Sequence, residues 1–343
     1  MTDQAPSLHP DVLLDREAFQ RLFGPFRPGL KLYCYRMLGS LHEAEDAVQD
    51  AYLRAWRGRL GFSGVGSLKG WLYRIATNAC LDVIKRQGKT RRVLVEDASP
   101  PSTSLPEGEP ALEMVWVEPL PESELEKIAD TAPGPHARIE VMEGVRLAFI
   151  AAIQELPPRQ RAVLLLCDVL GWSAQEVGGL IGGSTAAVNS ALQRARATMA
   201  DRGTRPGSTS TSTKLAGKEA DLLARYVRAW QDRDLDGFVG LLKDDARYAM
   251  PPWREWYRGR DAIGRFFGTV WPRYGKFRLL ETRANGQPAF ALYTRSREGQ
   301  AWRAHSLQVL EIEQDAIASI VMYMGELGRT HVASFGLQAE LPA

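Results

Sequence analysis

Residues 170–194 decide how the middle of the chain folds, and they read LGWSAQEVGGLIGGSTAAVNSALQR. Ser173, followed three residues later by Glu176, is a capping box, so a helix is predicted to begin there. The glycines at 182–183 predict a tight turn, after which Ser184 can cap a second helix. Two short helices joined by a glycine turn are typical of a helix-turn-helix, which places its second helix in the major groove of DNA.

The second helix of this motif is predicted to bury Val188 and Leu192 and to turn a polar face outward. Amide side chains can make a pair of hydrogen bonds with adenine, and a guanidinium can do the same with guanine. The predicted outward residues are Ser184, Thr185, Asn189, Ser190, Gln193 and Arg194. The pattern therefore predicts that the chain reads DNA.

Charge is distributed very unevenly along the 343 residues, although the formal net charge is only +2. Residues 16–92 hold fifteen Lys and Arg against six Asp and Glu, whereas residues 93–130 hold ten acidic residues and one basic residue. Because each patch attracts a different partner, this asymmetry is more informative than the net charge. The chain length predicts two or three domains.

Three widely spaced cysteines, Cys34, Cys80 and Cys167, are odd in number and form no C-x-x-C motif. Their apolar surroundings predict buried, reduced thiols, and we expect neither a disulfide nor a metal or other cofactor. No stretch approaches the roughly 18 apolar residues of a membrane helix, and residues 1–15 do not read as a signal peptide. The sequence therefore predicts a soluble, cytoplasmic protein that does not bind a membrane.

Composition and periodicity divide the chain into five segments. In the last segment helical patterns precede alternating strands, and Asn285-Gly286 between two of these strands predicts a hairpin. The predicted fold class is multidomain, with two all-α domains followed by an α+β domain. The segments are a basic, aromatic-rich domain at 12–92, an acidic Pro-rich linker at 93–137, a helix-turn-helix domain at 138–202, a flexible linker at 203–217 and the α+β domain at 218–330.

Two helices of the first domain carry polar stripes. The stripe on the helix predicted at 42–57 is by default a solvated face, although Leu53 within it favours a partner helix. The helix predicted at 67–87 is basic and carries aromatic residues, which suits a phosphate backbone and unpaired bases; a solvated basic face is the alternative. The first stripe is Asp46, Gln49, Asp50, Leu53 and Arg54, and the second is Arg74, Asn78, Lys85 and Arg86, continued by Lys89, Arg91 and Arg92.

Two blocks of the sequence resemble the sigma-70 family of transcription initiation factors. RMLG at 36–39, EDAVQDAYLRAW at 45–56 and GWLYRIATNACLD at 70–82 are similar to regions 2.1 to 2.4 of that family. LPPRQR at 156–161 and the helix-turn-helix resemble region 4. The short form, without regions 1.1 and 3, is that of the extracytoplasmic-function group.

The resemblance implies a role for each polar face. The stripe from Asp46 to Arg54 would dock on the β′ clamp helices of core RNA polymerase, and the stripe from Arg74 to Arg86 would engage and melt the −10 element. The polar face of the second helix in the helix-turn-helix would read the −35 element of promoter DNA, with the β flap as a further polymerase contact. Many members carry Lys or Arg where this chain has Asn189 and Ala191, so we expect a weaker grip on phosphates there.

The acidic linker leaves two alternatives open. In this family the segment between the two domains threads the polymerase toward its active centre, and ten carboxylates suit a basic channel built for RNA. The other interpretation is a disordered, solvated tether.

The segment at 218–330 resembles the SnoaL-like cone-shaped fold, whose relatives include polyketide cyclases and small-ligand binders. The order of its elements carries this resemblance, together with YRGRDAI at 257–263. The resemblance implies a pocket for a small-molecule ligand, in which His305 is either a general acid or base or a structural residue. The candidate lining residues are Trp230, Trp253, Trp256, Tyr257, Tyr293, His305 and Tyr323.

Together these features predict an alternative sigma factor without a catalytic site, whose C-terminal domain modulates its activity in cis. Two alternatives come from other classes: a cyclase or isomerase that carries a DNA-binding module, and a one-component repressor that senses a ligand. The block at 36–82 argues against both, because neither needs a strand-opening domain or a β′-docking face.

Overall fold

We describe the protein from a computed structural model, which covers residues 15–62, 67–88, 92–106, 109–111, 113–129, 145–201, 213–295 and 300–343. Lys89, Arg91 and parts of both predicted linkers lie outside these residues. The chain forms two compact units, of which the first contains Met1–Arg92 and Glu124–Gly207 and the second Val93–Ser123 and Ser208–Ala343. Within the described ranges, no helix combines the length and the apolar character that crossing a bilayer requires.

Serine caps begin two helices of the first unit, and a glycine ends one. The Ser40 Oγ accepts the N–H of Glu43 at 3.1 Å, and the Ser67 Oγ accepts the N–H of Gly70 at 3.0 Å. Gly39 ends the second helix with a φ of 70°, which glycine adopts at little cost. The helices here are α1 (Arg16–Phe23), α2 (Arg27–Leu38), α3 (Leu41–Gly58) and α4 (Leu68–Gln87).

Helices α2, α3 and α4 pack around a core that includes two thiols. Cys34 and Cys80 are fully buried free thiols, as the apolar pattern predicts, and burial raises the pKa of Cys80. Beside them the Tyr33 hydroxyl and the Thr77 Oγ1 form a buried hydrogen bond of 2.8 Å. Cys167 is also a free thiol but only half-buried, so the prediction of burial is right for two of the three cysteines.

The helix-turn-helix has the predicted cap and turn. The N–H of Ser173 donates to the Glu176 carboxylate at 2.8 Å, and the N–H of Glu176 donates to the Ser173 Oγ at 3.2 Å, which confirms the capping box. A Cβ at Gly178 would lie 2.8 Å from the Gly183 carbonyl oxygen, so the close turn requires glycine there. The helices of this part are α5 (Glu122–Ala129), α6 (Leu147–Gln154), α7 (Pro158–Leu164), α8 (Ala174–Ile181) and α9 (Thr185–Asp201), with a π-helical turn at Leu165–Val169 before α8.

The second unit is a sheet with helices on both faces. Its elements are α10 (Thr213–Asp232), α11 (Leu235–Val239), β1 (Leu242–Ala249), β2 (Trp256–Arg258), α12 (Arg260–Val270), β3 (Lys276–Ala284), β4 (Gln287–Arg295), β5 (Trp302–Glu313), β6 (Ala316–Met324), α13 (Gly325–Ser334) and β7 (Glu340–Leu341). Helices α10 to α12 lie on one face of the sheet and helix α13 on the other. The strand order is β2-β1-β6-β5-β4-β3, with β7 paired to β5 and with β1 and β6 parallel. Asn285 and Gly286, with φ values of 57° and 69°, form the predicted hairpin turn.

Two details of this unit differ from the sequence-based expectation. The apolar spacing of residues 238–250 predicts a short helix around 238–242 and a strand at 246–250. In the structure α11 already ends at Val239, and β1 begins at Leu242. The sequence analysis does not predict α13 and β7, which follow the last alternating strand.

Alternate residues of each strand point to opposite faces of the sheet. Tyr248 and Phe290 belong to the main core on the helix-covered face, together with Tyr226 and Trp230 of α10. Their neighbours along the strands, such as Ala249, belong to separate buried clusters on the other face. That outer face is therefore also apolar and also covered.

The acidic linker covers one part of the outer face. Val95 and Trp116 from the linker pack against Ala249 and Trp256 in one buried cluster. The cluster is flanked by hydrogen bonds: the Tyr323 hydroxyl donates to the Val117 carbonyl at 2.8 Å. Leu120 N–H donates to the Asn285 side chain at 2.7 Å, and Asn285 N–H donates to the Leu120 carbonyl at 2.8 Å. The described residues of the linker up to Ser123 thus form an ordered strap on the second unit, an arrangement that neither sequence-based alternative includes.

Helix α13 and the residues after it cover another part of the outer face. Val332 and Phe335 pack with Tyr293 of β4 and Leu307 of β5. The Tyr293 hydroxyl also donates to the Gln338 carbonyl at 2.8 Å. The linker and the C-terminal residues of the chain therefore cover two different parts of the outer face of the sheet.

The space between helices and sheet is largely filled by aromatic side chains. Trp230 contacts Phe238, Phe267, Trp271 and Phe277 with ring centroids 5.0–5.9 Å apart. The remaining cavity measures about 20 Å³, which is room for about one water molecule.

His305 lies at this cavity, with Nε2 3.3 Å from the Tyr274 hydroxyl and Nδ1 3.2 Å from the Ser306 Oγ. Burial, assisted by the positive charge of Arg329, lowers the pKa of His305 from 6.5 to about 4. The imidazole is therefore neutral at physiological pH in the folded chain.

We predict that His305 makes the second unit acid-sensitive. Because the folded-state pKa lies below that of the unfolded chain, stability is fully present above about pH 6.5 and is lost as the pH falls toward 4. The loss reaches at most about 1.4 kcal/mol per pH unit. Urea unfolding followed between pH 7 and pH 4 should show a shallower pH slope for His305→Gln than for the wild type. Equal slopes, or an imidazole that titrates near pH 6.5 by NMR, would contradict this prediction.

Candidate functional site

The predicted acidic stripe on α3 adjoins the basic end of α4. Asp46, Asp50 and Arg54 line a groove of about 820 Å³ together with Lys85 and Arg86. Arg54 bridges the two helices, because its guanidinium lies 2.7 Å from Asp50 and 2.7 Å from Asp82. These two hydrogen-bonded carboxylates raise the pKa of Arg54. The groove is thus an exposed surface with both signs of charge.

Leu53 stands out on the same stripe. Its side chain is 39% exposed, whereas the apolar residues on the opposite side of α3, such as Ala47, Val48 and Ala51, are buried. Leu60, which follows α3, is 68% exposed. Leu53 is thus an exposed apolar side chain within a charged stripe.

The four residues of the predicted −10 stripe are divided between two places. Lys85 and Arg86 lie in the groove with the acidic stripe, and Asn78 is exposed on α4. Arg74 lines a second groove with Phe62 and Trp71, whose rings are 5.1 Å apart. The basic residues of α4 therefore form a long exposed surface with aromatic rings at one end.

The polar face predicted for α9 is exposed, and the apolar face is buried. Asn189 and Gln193 are exposed, while Val188, Leu192 and Ala195 are buried. Three further residues of this face make local hydrogen bonds: the Ser184 Oγ accepts the Ala187 N–H at 3.2 Å, and Arg194 donates to the Ser190 Oγ at 2.7 Å. Thr185, the first residue of α9, is also exposed.

An ion pair that the sequence analysis did not predict joins α9 to the π-helical turn before α8. Arg196 donates to both carboxylate oxygens of Asp168, at 2.9 and 2.6 Å. Such a two-pronged contact restricts the rotation of the helix. The two residues are 28 positions apart in the chain, so no periodicity connects them in the sequence.

The seven candidate pocket residues do not lie around one cavity. Trp230 and His305 line it, together with Tyr248 and Tyr274, which the sequence analysis did not include. Trp253 is half-buried against the same core. The others hold segments of backbone: the Trp256 indole donates to Ser99 O at 2.7 Å, Tyr257 to Ser104 O at 2.9 Å, Tyr293 to Gln338 O at 2.8 Å and Tyr323 to Val117 O at 2.8 Å.

Comparison with known families separates the chain into three matched segments. Sigma-70 region 2 matches residues 22–90, and sigma-70 region 4 matches residues 146–199. A SnoaL-like domain matches residues 223–320.

One relative and one solved structure resemble the chain over most of its length, and a second relative resembles about half of it. The ECF RNA polymerase sigma factor SigG of Mycobacterium tuberculosis is 43% identical over 322 residues, which cover 92% of this chain and 83% of that protein. The ECF sigma factor SigE of Mycolicibacterium smegmatis is 30% identical over 169 residues, which cover 49% and 54%. The crystal structure of the Mycobacterium tuberculosis extracytoplasmic-function sigma factor SigJ shares the fold, with a TM-score of 0.60, 21% identity and coverage of 93% and 99%.

These relatives are transcription initiation factors rather than enzymes, which decides against the cyclase and isomerase alternative. The sigma segments also decide against a simple one-component repressor. The chain belongs to the extracytoplasmic-function sigma factors of the sigma-70 family, which direct transcription with core RNA polymerase, and it carries a SnoaL-like domain after region 4.

Proposed function

We propose that this sigma factor recognises and melts the −10 element with region 2, reads the −35 element with region 4, and is modulated in cis by its SnoaL-like domain. The observation that carries the cis control is the packing of the linker between regions 2 and 4 on the second unit. Because core polymerase works on chromosomal DNA, this function places the chain in the cytoplasm.

The proposed core-binding surface is the α3 stripe, directed at the β′ clamp helices. Its members are Asp46, Gln49, Asp50, Leu53 and Arg54. The exposure of Leu53 among charged residues supports this role, since interfaces place apolar anchors inside a polar rim. Region 4 would add a contact to the β flap.

We predict that Leu53→Ala weakens binding to core polymerase about five- to tenfold, because truncating a buried interface anchor costs about 1 kcal/mol or more. Leu60→Ala is the matched control, since Leu60 is also an exposed leucine but lies outside the stripe. The dissociation constant of each full-length variant for core polymerase can be measured by fluorescence anisotropy. Equal affinities for Leu53→Ala and the wild type would contradict the proposed surface.

The proposed −10 surface is α4, with Arg74, Asn78, Lys85 and Arg86. Their exposure along one helix supports contact with phosphates, and Trp71 offers a ring on which an unpaired base can stack. The proposed −35 reader is α9, with Ser184, Thr185, Asn189, Ser190, Gln193 and Arg194. Exposed amides at Asn189 and Gln193 favour contacts to adenine.

The proposed cis control acts through the linker. A linker that is packed on the second unit is not free to extend between regions 2 and 4 or to enter the polymerase. The packing buries Val95 and Trp116 and adds an ion pair between Glu113 and Arg254. We infer that docking of the linker restrains the factor and that its release activates it.

We propose that a small-molecule ligand binds the second unit only if the aromatic core around its small cavity rearranges. The cavity of about 20 Å³ has room for about one water molecule, whereas small-molecule pockets measure about 300–1,000 Å³. A ligand would therefore have to displace aromatic side chains such as Trp271 or Phe277. Release of the linker does not depend on such a rearrangement.

We predict that Trp116→Ala raises promoter-specific transcription several-fold. Removing a buried tryptophan costs about 3–5 kcal/mol, which weakens the docking of the linker. Run-off transcription with core polymerase measures the output, and hydrogen exchange of the β6 amides reports whether the outer face of the sheet has become exposed. Glu109→Ala is the control, because Glu109 is an exposed residue of the same linker. Unchanged transcription despite faster exchange in β6 would contradict control through the linker.

A further inference from the structure

The C-terminal end of α2 in region 2 is capped by two side chains from region 4. The Gln154 amide donates to the Arg36 carbonyl at 3.0 Å, and the Arg161 guanidinium donates to the Met37 carbonyl. Gln154 and Arg161 are only 4% and 5% exposed. The contact is therefore buried, not a surface ion pair.

The same guanidinium also binds the end of a helix within region 4. Arg161 donates to the carbonyls of Gln154 and Leu156, at 2.7 and 3.3 Å, and to the Gln154 Oε1 at 2.5 Å. A cation is favourable at a helix C-terminus, where the last carbonyls lack partners within the helix. Burial lowers the pKa of Arg161 to about 10, so it stays protonated at neutral pH. One guanidinium thus joins the carbonyl ends of α2 and α6.

A second contact joins region 4 to α4. The Trp172 ring, just before α8, packs edge-on against Tyr73 with centroids 5.2 Å apart, and Lys69 lies 5.9 Å from the Trp172 ring centre. Glu176 and Leu180 of α8 line a groove together with Arg74. The first helix of the helix-turn-helix therefore lies beside the N-terminal half of α4, which carries Arg74 of the proposed −10 surface.

This closed arrangement is incompatible with simultaneous binding to both promoter elements. The −10 and −35 elements are named for positions about 25 base pairs apart, on the order of 80 Å of duplex at about 3.4 Å per pair. Regions 2 and 4 are in direct contact in this structure, through hydrogen bonds of 3.0 Å. They must separate before each can reach its element.

We propose that Gln154 and Arg161 form an interdomain latch that keeps regions 2 and 4 closed in the free factor, and that opening of this latch precedes promoter binding. The proposal rests on the proposed function for its biological meaning, but the latch itself is a property of the free chain. In this proposal core polymerase binds only the open form. Its apparent affinity for the factor then equals its affinity for open chains multiplied by the fraction of chains that are open.

The test is a distance measurement on the full-length chain. Fluorophores are attached at Arg57→Cys in region 2 and Ala197→Cys in region 4, both exposed positions, in a Cys167→Ser background. Cys34 and Cys80 are fully buried and should not react. Single-molecule energy transfer then reports the closed and open populations with and without core polymerase.

Gln154→Leu keeps the size of the side chain and removes its hydrogen bonds to Arg36 and Arg161. We expect it to raise the ratio of open to closed chains about two- to tenfold, because one buried hydrogen bond between regions 2 and 4, from Gln154 to the Arg36 carbonyl, is lost from the closed form. The hydrogen bond with Arg161 lies within region 4, so its loss affects open and closed chains alike. Gln175→Leu is the matched control, an exposed glutamine of α8 with the same substitution. It should leave the distribution unchanged.

The outcomes separate the latch from the proposed function. The latch is supported if the wild type shows a short-distance population that moves to long distances in Gln154→Leu. The same shift is expected in the wild type when core polymerase is added. Both results support the latch even if no promoter is transcribed. If circular dichroism shows that Gln154→Leu does not fold, Trp172→Ala, which removes the second contact, takes its place. An unchanged distance distribution in a folded variant, or a wild type that is already open, would overturn the proposal.

Discussion

The apolar outer face of the C-terminal sheet must be covered, and the chain covers part of it with the segment that joins regions 2 and 4. Trp116 and Val95 of that segment are buried against Ala249 and Trp256. An exposed face of this kind would promote association, so its burial stabilises the second unit. In the proposed cis control, the same segment must be free to extend between regions 2 and 4. The proposal therefore links the stability of the second unit to the activity of the two sigma regions through the same residues.

The linker and the Arg161 contact act on one quantity, the separation between regions 2 and 4. The linker determines how far the two regions can move apart, and the buried hydrogen bonds from Gln154 and Arg161 determine how often they do so. A neutral hydrogen bond such as that of Gln154 contributes about 0.5–1.5 kcal/mol, and one from a charged group such as Arg161 about 1.5–3 kcal/mol, so a large polymerase interface can replace these contacts. This balance fits the proposed factor, which is closed when free and open when bound to core polymerase.

Short-range features of this fold follow from the sequence, and long-range contacts do not. The capping box at Ser173, the turn at Asn285-Gly286 and the buried face of α9 depend on residues a few positions apart. The pairing of Asp168 with Arg196 and the burial of Trp116 depend on tertiary packing, which leaves no periodic signal. The aromatic residues of the candidate pocket illustrate the same limit, because their types indicate burial but not which of them meet at one cavity.

Run-off transcription with mycobacterial core polymerase on the DNA upstream of the gene tests the central claim most directly. The account predicts a discrete transcript that core polymerase alone does not make, and its loss when the −35 sequence is replaced. It also predicts that the transcript increases when the linker is released from the C-terminal sheet. Failure of the folded, full-length chain to bind core polymerase, or a transcript that is independent of the −35 sequence, would contradict it.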